Sequence, residues 1–209
     1  MTTIRRLSDS CLTVTTDVGV TLFDPGFWTF ESGEVDLETI GEVNRILITH
    51  EHADHLKPEF VGWLIDRGTD VTVHANQAVA DILAKSDIEV LVDNPRDVTS
   101  EDVDHATLPN GSTVPNRSYT VGGAFTHPGD SHDPTVTAPI LGLPLMTLWG
   151  SMTASMGFAK GLSPQYVIPI HDFYMNSSGR QWVTGMAKAV LATAGIEVVP
   201  LDWNESATL

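Results

Sequence analysis

Short apolar runs recur along the chain, separated by polar turns and by segments whose apolar positions return every three or four residues. The runs predict strands at Leu12–Thr15, Val18–Phe23, Arg45–Thr49, Val71–Val73, Glu89–Val92, Tyr119–Val121, Ala124–Thr126, Val167–Ile170 and Glu197–Pro200. Helical spacing begins at Pro58, a residue suited to a first helical turn; Phe60, Val61, Leu64 and Ile65 then form one stripe until Gly68. Gln77–Lys85, Thr147–Lys160 and Arg180–Ala194 are the other predicted helices, the last with Val183, Met186, Val190 and Leu191 on one stripe and Gly195 just past its end. The polar stretch Asp93–Asn116, with Pro95, Pro109, Gly111 and Pro115, predicts turns and a twisted strand pair. Strands alternating with helices predict an α/β chain, a sheet covered by helices. With 209 residues and no linker or low-complexity tract, one domain over 1–209 is expected.

Charge narrows the range of partners. The 27 acidic and 11 basic side chains give a formal net charge of −16, and Lys and Arg form no basic run, which argues against a nucleic-acid partner. The most apolar region, Ala138–Met146, is interrupted by Pro139, Gly142 and Pro144, so no membrane span is expected; the Ala138–Leu148 run is a candidate subunit contact in a homo-oligomer. The first residues lack the apolar stretch of a signal peptide, and the single cysteine, Cys11, cannot form an internal disulfide, so a cytoplasmic location is expected.

The chemistry concentrates in Ile46-Leu-Ile-Thr-His50-Glu51-His52-Ala53-Asp54-His55, where an apolar strand runs into three histidines and an aspartate. The chain has only 8 histidines, so a loop that merely caps the following helix would not be expected to hold three of them. Imidazoles and a carboxylate without thiolates suit a borderline divalent cation such as Zn²⁺.

His50-x-His52-x-Asp54-His55 resembles the metal motif of the metallo-β-lactamase superfamily. Four further residues resemble that family's later motifs in order: Asp24 in Leu-Phe-Asp-Pro-Gly, His105 in Val-Asp-His-Ala, Asp130 in Phe-Thr-His-Pro-Gly-Asp-Ser, and His171 in Ile-Pro-Ile-His-Asp. The resemblance implies a four-layer αββα sandwich with two divalent metal ions in a cleft at one edge. It places one metal on His50, His52 and His105 and the other on Asp54, His55 and His171. Asp130 and a water or hydroxide would bridge them, and Asp24 would support the metal loop from beneath. Paired cations about 3.5–4 Å apart acidify a shared water and polarise a carbonyl or phosphoryl oxygen. Histidine rather than glutamate at position 52 favours hydrolysis over di-iron redox chemistry, and the bridging Asp130 argues against antibiotic cleavage. The phrases around Asp130 and His171 are most similar to the small subgroup of ascorbate-6-phosphate lactonase-like hydrolases. The implied activity is hydrolysis of a small ester, lactone or phosphoester. Zn²⁺ is the first expectation for the metal, with Mn²⁺ and Fe²⁺ also compatible.

Two other functions compete with this one. A nuclease-type phosphodiesterase of the same fold would need the basic cleft that the chain lacks, and a metal-binding module without turnover would share the ligand set. Asp54 is expected to be catalytic as well as a ligand. His132, in the turn Ser131-His-Asp-Pro134, is expected to face substrate as a general acid; His127 is the other candidate for that role. His74 is expected to be structural, Trp63 and Trp149 to be core or cleft wall, and Asp172 and Tyr174 to sit behind the ligands. Arg117 and Arg180 are candidate partners for an anionic substrate group.

Overall fold

The computed structural model describes all 209 residues, Met1–Leu209. One sheet runs in the order β12-β1-β2-β3-β4-β5, built from β1 (Thr3–Ser8), β2 (Cys11–Thr16), β3 (Gly19–Phe23), β4 (Arg45–Ile48), β5 (Thr72–Ala75) and β12 (Ser206–Thr208). The other runs β11-β10-β9-β8-β7-β6, from β6 (Val98–Asp104), β7 (Pro115–Val121), β8 (Phe125–His127), β9 (Ile140–Pro144), β10 (Tyr166–Ile170) and β11 (Glu197–Val198). The helices are α1 (Phe27–Glu31), α2 (Pro58–Arg67), α3 (Gln77–Leu83), α4 (Met152–Leu162) and α5 (Ser177–Ala192).

Side-chain alternation along the strands divides the core into three layers. In β4, Ile46 and Ile48 face α2 and α3, where they join Phe60, Val61, Leu64, Val79 and Leu83; the intervening Leu47 points the other way. Between the sheets Leu47 meets Ile4, Leu12, Val14, Phe23, Tyr119, Val121, Phe125, Ile140, Ile168 and Ile170. Leu141, Leu143 and Val167 face outward on the second sheet and are covered by Met156 and Ala159 of α4 and by Val183, Ala187 and Leu191 of α5. The result is helix, sheet, sheet, helix. Each fully buried aliphatic side chain contributes roughly 1.5–3 kcal/mol, so the three layers supply the driving force of folding.

Several expected elements shift or are joined by others. The Glu89–Val92 run makes only an isolated bridge, Leu91 to His74; Val90 packs half-buried against the α2 and α3 layer, while Glu89, Leu91 and Val92 face solvent. β9 is an added strand whose five residues are all buried between β8 and β10; Ile140–Leu145 of the candidate contact run therefore lies inside this chain's own core, and Leu148 beyond it is 72% exposed. The helix expected from Thr147 begins at Met152, where the Ser151 side chain accepts a hydrogen bond from the Ala154 amide, leaving 146–150 as a loop. The helix expected from Arg180 starts earlier, at Ser177, capped by Asn176. β1, β12 and α1 are also additions; the chain ends meet where Thr3 registers with Thr208. No helix is long and apolar enough to cross a membrane.

Candidate metal centre

The ligand-type residues stand just past the carboxyl ends of strands: Asp24 after β3, His50 after β4, His105 after β6, Asp130 after β8 and His171 after β10. β3 and β4 run parallel, as do β8, β9 and β10, so these ends converge on one edge of the sandwich. Two of the five adopt left-handed backbone, Asp24 at φ +47° and His171 at φ +68°. That conformation is costly away from glycine and turns the chain sharply out of its strand.

Two lobes result. His50, His52 and His105 form one; Asp54, His55, Asp130 and His171 form the other, and within each lobe the ligand-type atoms lie within 4.8 Å of one another. Asp130 faces both. Its Oδ1 is 3.2 Å from His55 Nε2 and 3.0 Å from His171 Nε2, and its Oδ2 is 3.3 Å from His105 Nε2. His50 Nε2 lies 3.2 Å from His52 Nδ1, and His55 Nε2 lies 3.2 Å from His171 Nε2.

These residues fit divalent cations. A tetrahedral ion with bonds of about 2.0–2.1 Å separates its ligand atoms by about 3.4 Å, close to the spacing found in both lobes. His105 Nε2 and Asp130 Oδ1 are buried with no hydrogen-bond partner, an arrangement that burial penalises unless something else engages them. The opposite ring nitrogens are tied back: His55 Nδ1 to Asp24 Oδ2 at 2.7 Å, His50 Nδ1 to Thr49 Oγ1 at 3.1 Å, and His105 Nδ1 to the Ala106 carbonyl. An N–H on Nδ1 leaves the Nε2 lone pair aimed into the site.

Comparisons with known proteins agree with this geometry. The model of the metallo-beta-lactamase superfamily matches residues 5–57, the stretch from β1 through the histidine-rich loop. The chain is 26% identical over 209 residues to Protein Rv0786c of Mycobacterium tuberculosis (strain ATCC 25618 / H37Rv), covering 94% of this chain and 96% of that protein. A crystal structure from Parabacteroides distasonis ATCC 8503, described as a metal-dependent hydrolase, superposes with a TM-score of 0.73 at 24% identity over 95% of this chain and 92% of that one. Igni18, a metallo hydrolase of the archaeon Ignicoccus hospitalis KIN4/I, superposes at 0.74 with 15% identity, over 99% and 97%. The chain has the metallo-β-lactamase fold.

Within that fold, Asp24 is the foundation of the histidine loop. It is fully buried and accepts hydrogen bonds from the Thr49 amide (2.8 Å), the Thr49 hydroxyl (2.8 Å) and His55 Nδ1 (2.7 Å). Gly26 lets α1 close on the same loop: a Cβ there would sit 1.7 Å from the Asp54 carbonyl oxygen, while the Phe27 amide donates to the Ala53 carbonyl at 2.9 Å. Gly129, at φ +63°, serves Asp130 in the same way. A Cβ there would lie 2.0 Å from Asn116 Oδ1, the atom that accepts from the Asp130 amide.

The electrostatics separate the two lobes. Burial lowers His50 well below the usual imidazole range, with His55 adding repulsion, and burial followed by His105 lowers His52, so these two rings favour the neutral form. Burial also acts to lower His55 and His171, but nearby carboxylates outweigh it. Asp130, Asp24 and Asp54 raise His55 well above its usual value, and Asp130 and Asp9 lift His171 to about 9. Burial would raise Asp130, yet His171 and His55 hold it well below the carboxylate range.

Other expected site residues take different places. His132 is not in an exposed turn: it is half-buried between Trp149 (ring centroids 4.9 Å apart) and Phe158 (5.1 Å), with Nε2 buried and unpartnered, and burial lowers its pKa. His127 is fully buried. Its Nε2 donates to the Ser10 carbonyl at 3.0 Å while Nδ1 accepts from the Gly129 amide at 3.1 Å, so it is a neutral strut with no face toward a substrate. His74 is structural, bonded to the Asp93 carbonyl and the Thr72 hydroxyl. Arg117 is committed to Asp102 and to the Ala75 and Val92 carbonyls. Arg180 lies 4.4 Å over the Trp203 ring and lines a separate cavity of about 290 Å³ with Arg6 and Asp172, which pair with each other. Tyr174 is 53% exposed, with its hydroxyl pushed up by partial burial and then by the carboxylates of Asp54 and Asp9. Trp149 proves to be more than wall, since its Nε1–H donates to Asp130 Oδ2 at 2.7 Å. A lone Trp in a loop carries no sequence signal for such a contact.

Proposed function

We propose that this protein is a metal-dependent hydrolase of the metallo-β-lactamase superfamily that holds two divalent cations, Zn²⁺ first among them, and cleaves a small ester, lactone or phosphoester. The observation that carries the proposal is Asp130: one oxygen faces each lobe, at ligand-to-ligand distances from histidines of both. His50, His52 and His105 would hold one ion and Asp54, His55 and His171 the other. Bound there, the two cations would acidify a shared water and polarise the electrophilic oxygen of the substrate.

The chain's own residues prepare that chemistry. Asp24 accepts from His55 Nδ1–H and so holds the ring with Nε2 turned toward Asp130 and His171. His127, neutral and bonded on both nitrogens, holds the loop before Asp130 and moves no proton. Tyr174 keeps its proton at neutral pH on the rim near Asp54, where it can donate to a substrate oxygen. The charge of −16 and the commitment of Arg45, Arg67 and Arg117 to carboxylates leave no basic track for a nucleic acid, which favours the small-substrate reading over a nuclease. The sequence phrases around Asp130 and His171 support the lactonase-like branch within this class.

Metal analysis of protein reconstituted with Zn²⁺ or Mn²⁺ tests the proposal, together with a panel of esters, lactones, phosphomonoesters and phosphodiesters. Two ions per chain with metal-dependent turnover of a panel member is the expected result. Stoichiometric binding with no turnover on any class would reduce the protein to a metal-binding module, and well under one ion per chain would remove the metal centre altogether.

A further inference from the structure

We propose that Trp149 is a positioning residue for Asp130, its indole N–H fixing the carboxylate so that Oδ2 remains available to the three-histidine lobe. This rests on the reading above that each lobe takes a cation. Asp130 is anchored through its backbone by Asn116 Oδ1, 3.2 Å from the amide, but the carboxylate itself is free to rotate unless something holds it. Oδ1 is flanked by His55 and His171, and Oδ2 by His105. The remaining contact to Oδ2 is Trp149 Nε1, at 2.7 Å, a distance typical of a charge-assisted hydrogen bond.

The indole is itself well held. It reaches the site from the loop between β9 and α4, with its ring 4.9 Å from His132 and 5.8 Å edge-on to His105, and His132 stacks in turn on Phe158 of α4. Indole Nε1 is a donor only, so it can satisfy one carboxylate lone pair without competing as a ligand. The lobes differ in how much they need this help. One contains Asp54 as well as Asp130 Oδ1, whereas the other has three imidazoles and only Oδ2 as a carboxylate oxygen. Without the N–H, the carboxylate can turn toward the lobe of His55 and His171, and the three-histidine lobe loses its one negative ligand. Outer partners of metal ligands typically change metal affinity by about 10–100-fold.

The test is calorimetric titration of metal-free full-length protein with Zn²⁺, comparing wild type with Trp149→Phe, which keeps the ring and removes the donor. Phe158→Leu loosens the same stack while leaving the N–H. Nuclear magnetic resonance of the ¹⁵N-labelled indoles reads the hydrogen bond directly: one indole N–H, absent from Trp149→Phe, should shift when Asp130 is changed to Asn. Wild type should bind two ions; Trp149→Phe should weaken one of the two steps by about 10–100-fold and move the other less than about threefold. Phe158→Leu should leave both steps within about threefold. Two ions in wild type with unchanged steps in Trp149→Phe, equal weakening of both steps, or the same pattern in Phe158→Leu would each overturn the positioning role. Fewer than two ions in wild type would instead overturn the two-cation reading on which it rests.

Discussion

Asp24 and Asp54 lie in the same site, yet replacing each by asparagine should have opposite consequences. Asp24 is fully buried and its two oxygens accept three hydrogen bonds, two from Thr49 and one from His55. Asparagine keeps the shape but turns one acceptor into a donor. If its oxygen keeps the Thr49 amide, its NH₂ faces His55 Nδ1–H, and the histidine must either give up that proton or leave two donors facing each other. Hydrogen bonds to a charged group are worth about 1.5–3 kcal/mol each, so losing one and weakening another costs about 3–5 kcal/mol. For a chain of this size that is a fall in Tm of roughly 6–20 °C. Asp54 differs: its side chain is 20% exposed, and its nearest cationic partners, His171 Nε2 and His55 Nε2, are 3.7 and 3.9 Å away. Asp54→Asn should therefore change the metal-free Tm by no more than about 4 °C, corresponding to about 1 kcal/mol, while activity falls by orders of magnitude. Scanning calorimetry in EDTA, paired with Zn²⁺ titration of both variants, measures the split. Equal loss of metal-free stability in the two variants would refute the division into foundation and ligand, as would an Asp24→Asn protein that melts and binds Zn²⁺ like wild type.

Other expectations follow from the same contacts. Gly26→Ala would drive a methyl into the Asp54 carbonyl, so it should cost about 1–3 kcal/mol and lower Zn²⁺ occupancy; wild-type melting and metal content would contradict the close packing of α1 on the loop. Asp97 is held below its usual value chiefly by its hydrogen bonds to Arg45, both 2.6 Å, so its contribution is present above the unfolded value of about 3.9 and lost as pH falls through the folded one. In urea titrations Asp97→Asn should be less stable than wild type by up to about 1 kcal/mol at pH 7 and equal to it near pH 2; a gap that persisted in acid would refute the pairing. In EDTA, the raised His171 contributes stability that is complete below about 6.5 and fades as pH rises through about 9. Zn²⁺ must displace that proton, so calorimetry at pH 7 in buffers of different ionisation enthalpy should show proton release, and none would contradict the charged pair.

Part of the candidate site was legible because His50 and His171 each follow a short apolar run, and a polar residue at such a strand end stands out; His105, after the polar β6, stood out only through the family resemblance. His50 follows Ile46–Ile48, and His171 follows Val167–Ile170. The elements that escaped notice have patterns that point elsewhere. β9 carries Gly142 and Pro144 within five residues, yet it is fully buried because its neighbours β8 and β10 cover both edges. β1 contains Arg5 and Arg6, which interrupt its apolar pattern; Arg6 is buried against Asp172, 166 residues away. Glu89–Val92 has strand composition but only one bridge. Its hydrogen bonds to β5 run through Leu91 alone, and composition does not show how far a strand stays in register with its neighbour. The surroundings of His132 and Trp149 were hidden for the same reason: the half-burial of His132 against Trp149 and Phe158, and the contact of Trp149 with Asp130, are set by how the loops before β9 and after it pack together.

The charge of −16 says little about the site itself. Inside it, carboxylates and imidazoles are arranged so that the metal-free state is under electrostatic tension in one lobe and not in the other. Asp54, Asp130 and Asp24 surround His55, which is raised well above its usual value, so this half can be neutralised by protons when cations are absent. In the other half, burial and mutual repulsion lower His50 and His52, and His105 Nε2 is left without a hydrogen-bond partner. An unpaired buried polar atom costs about 1–3 kcal/mol, and a fold that retains one beside a shared carboxylate holds a standing preference for a cation there. In the proposed two-cation state the acidic surface would act at a distance, raising the local cation concentration, while the placement of the ions would rest on Asp130 and the groups that fix its two oxygens.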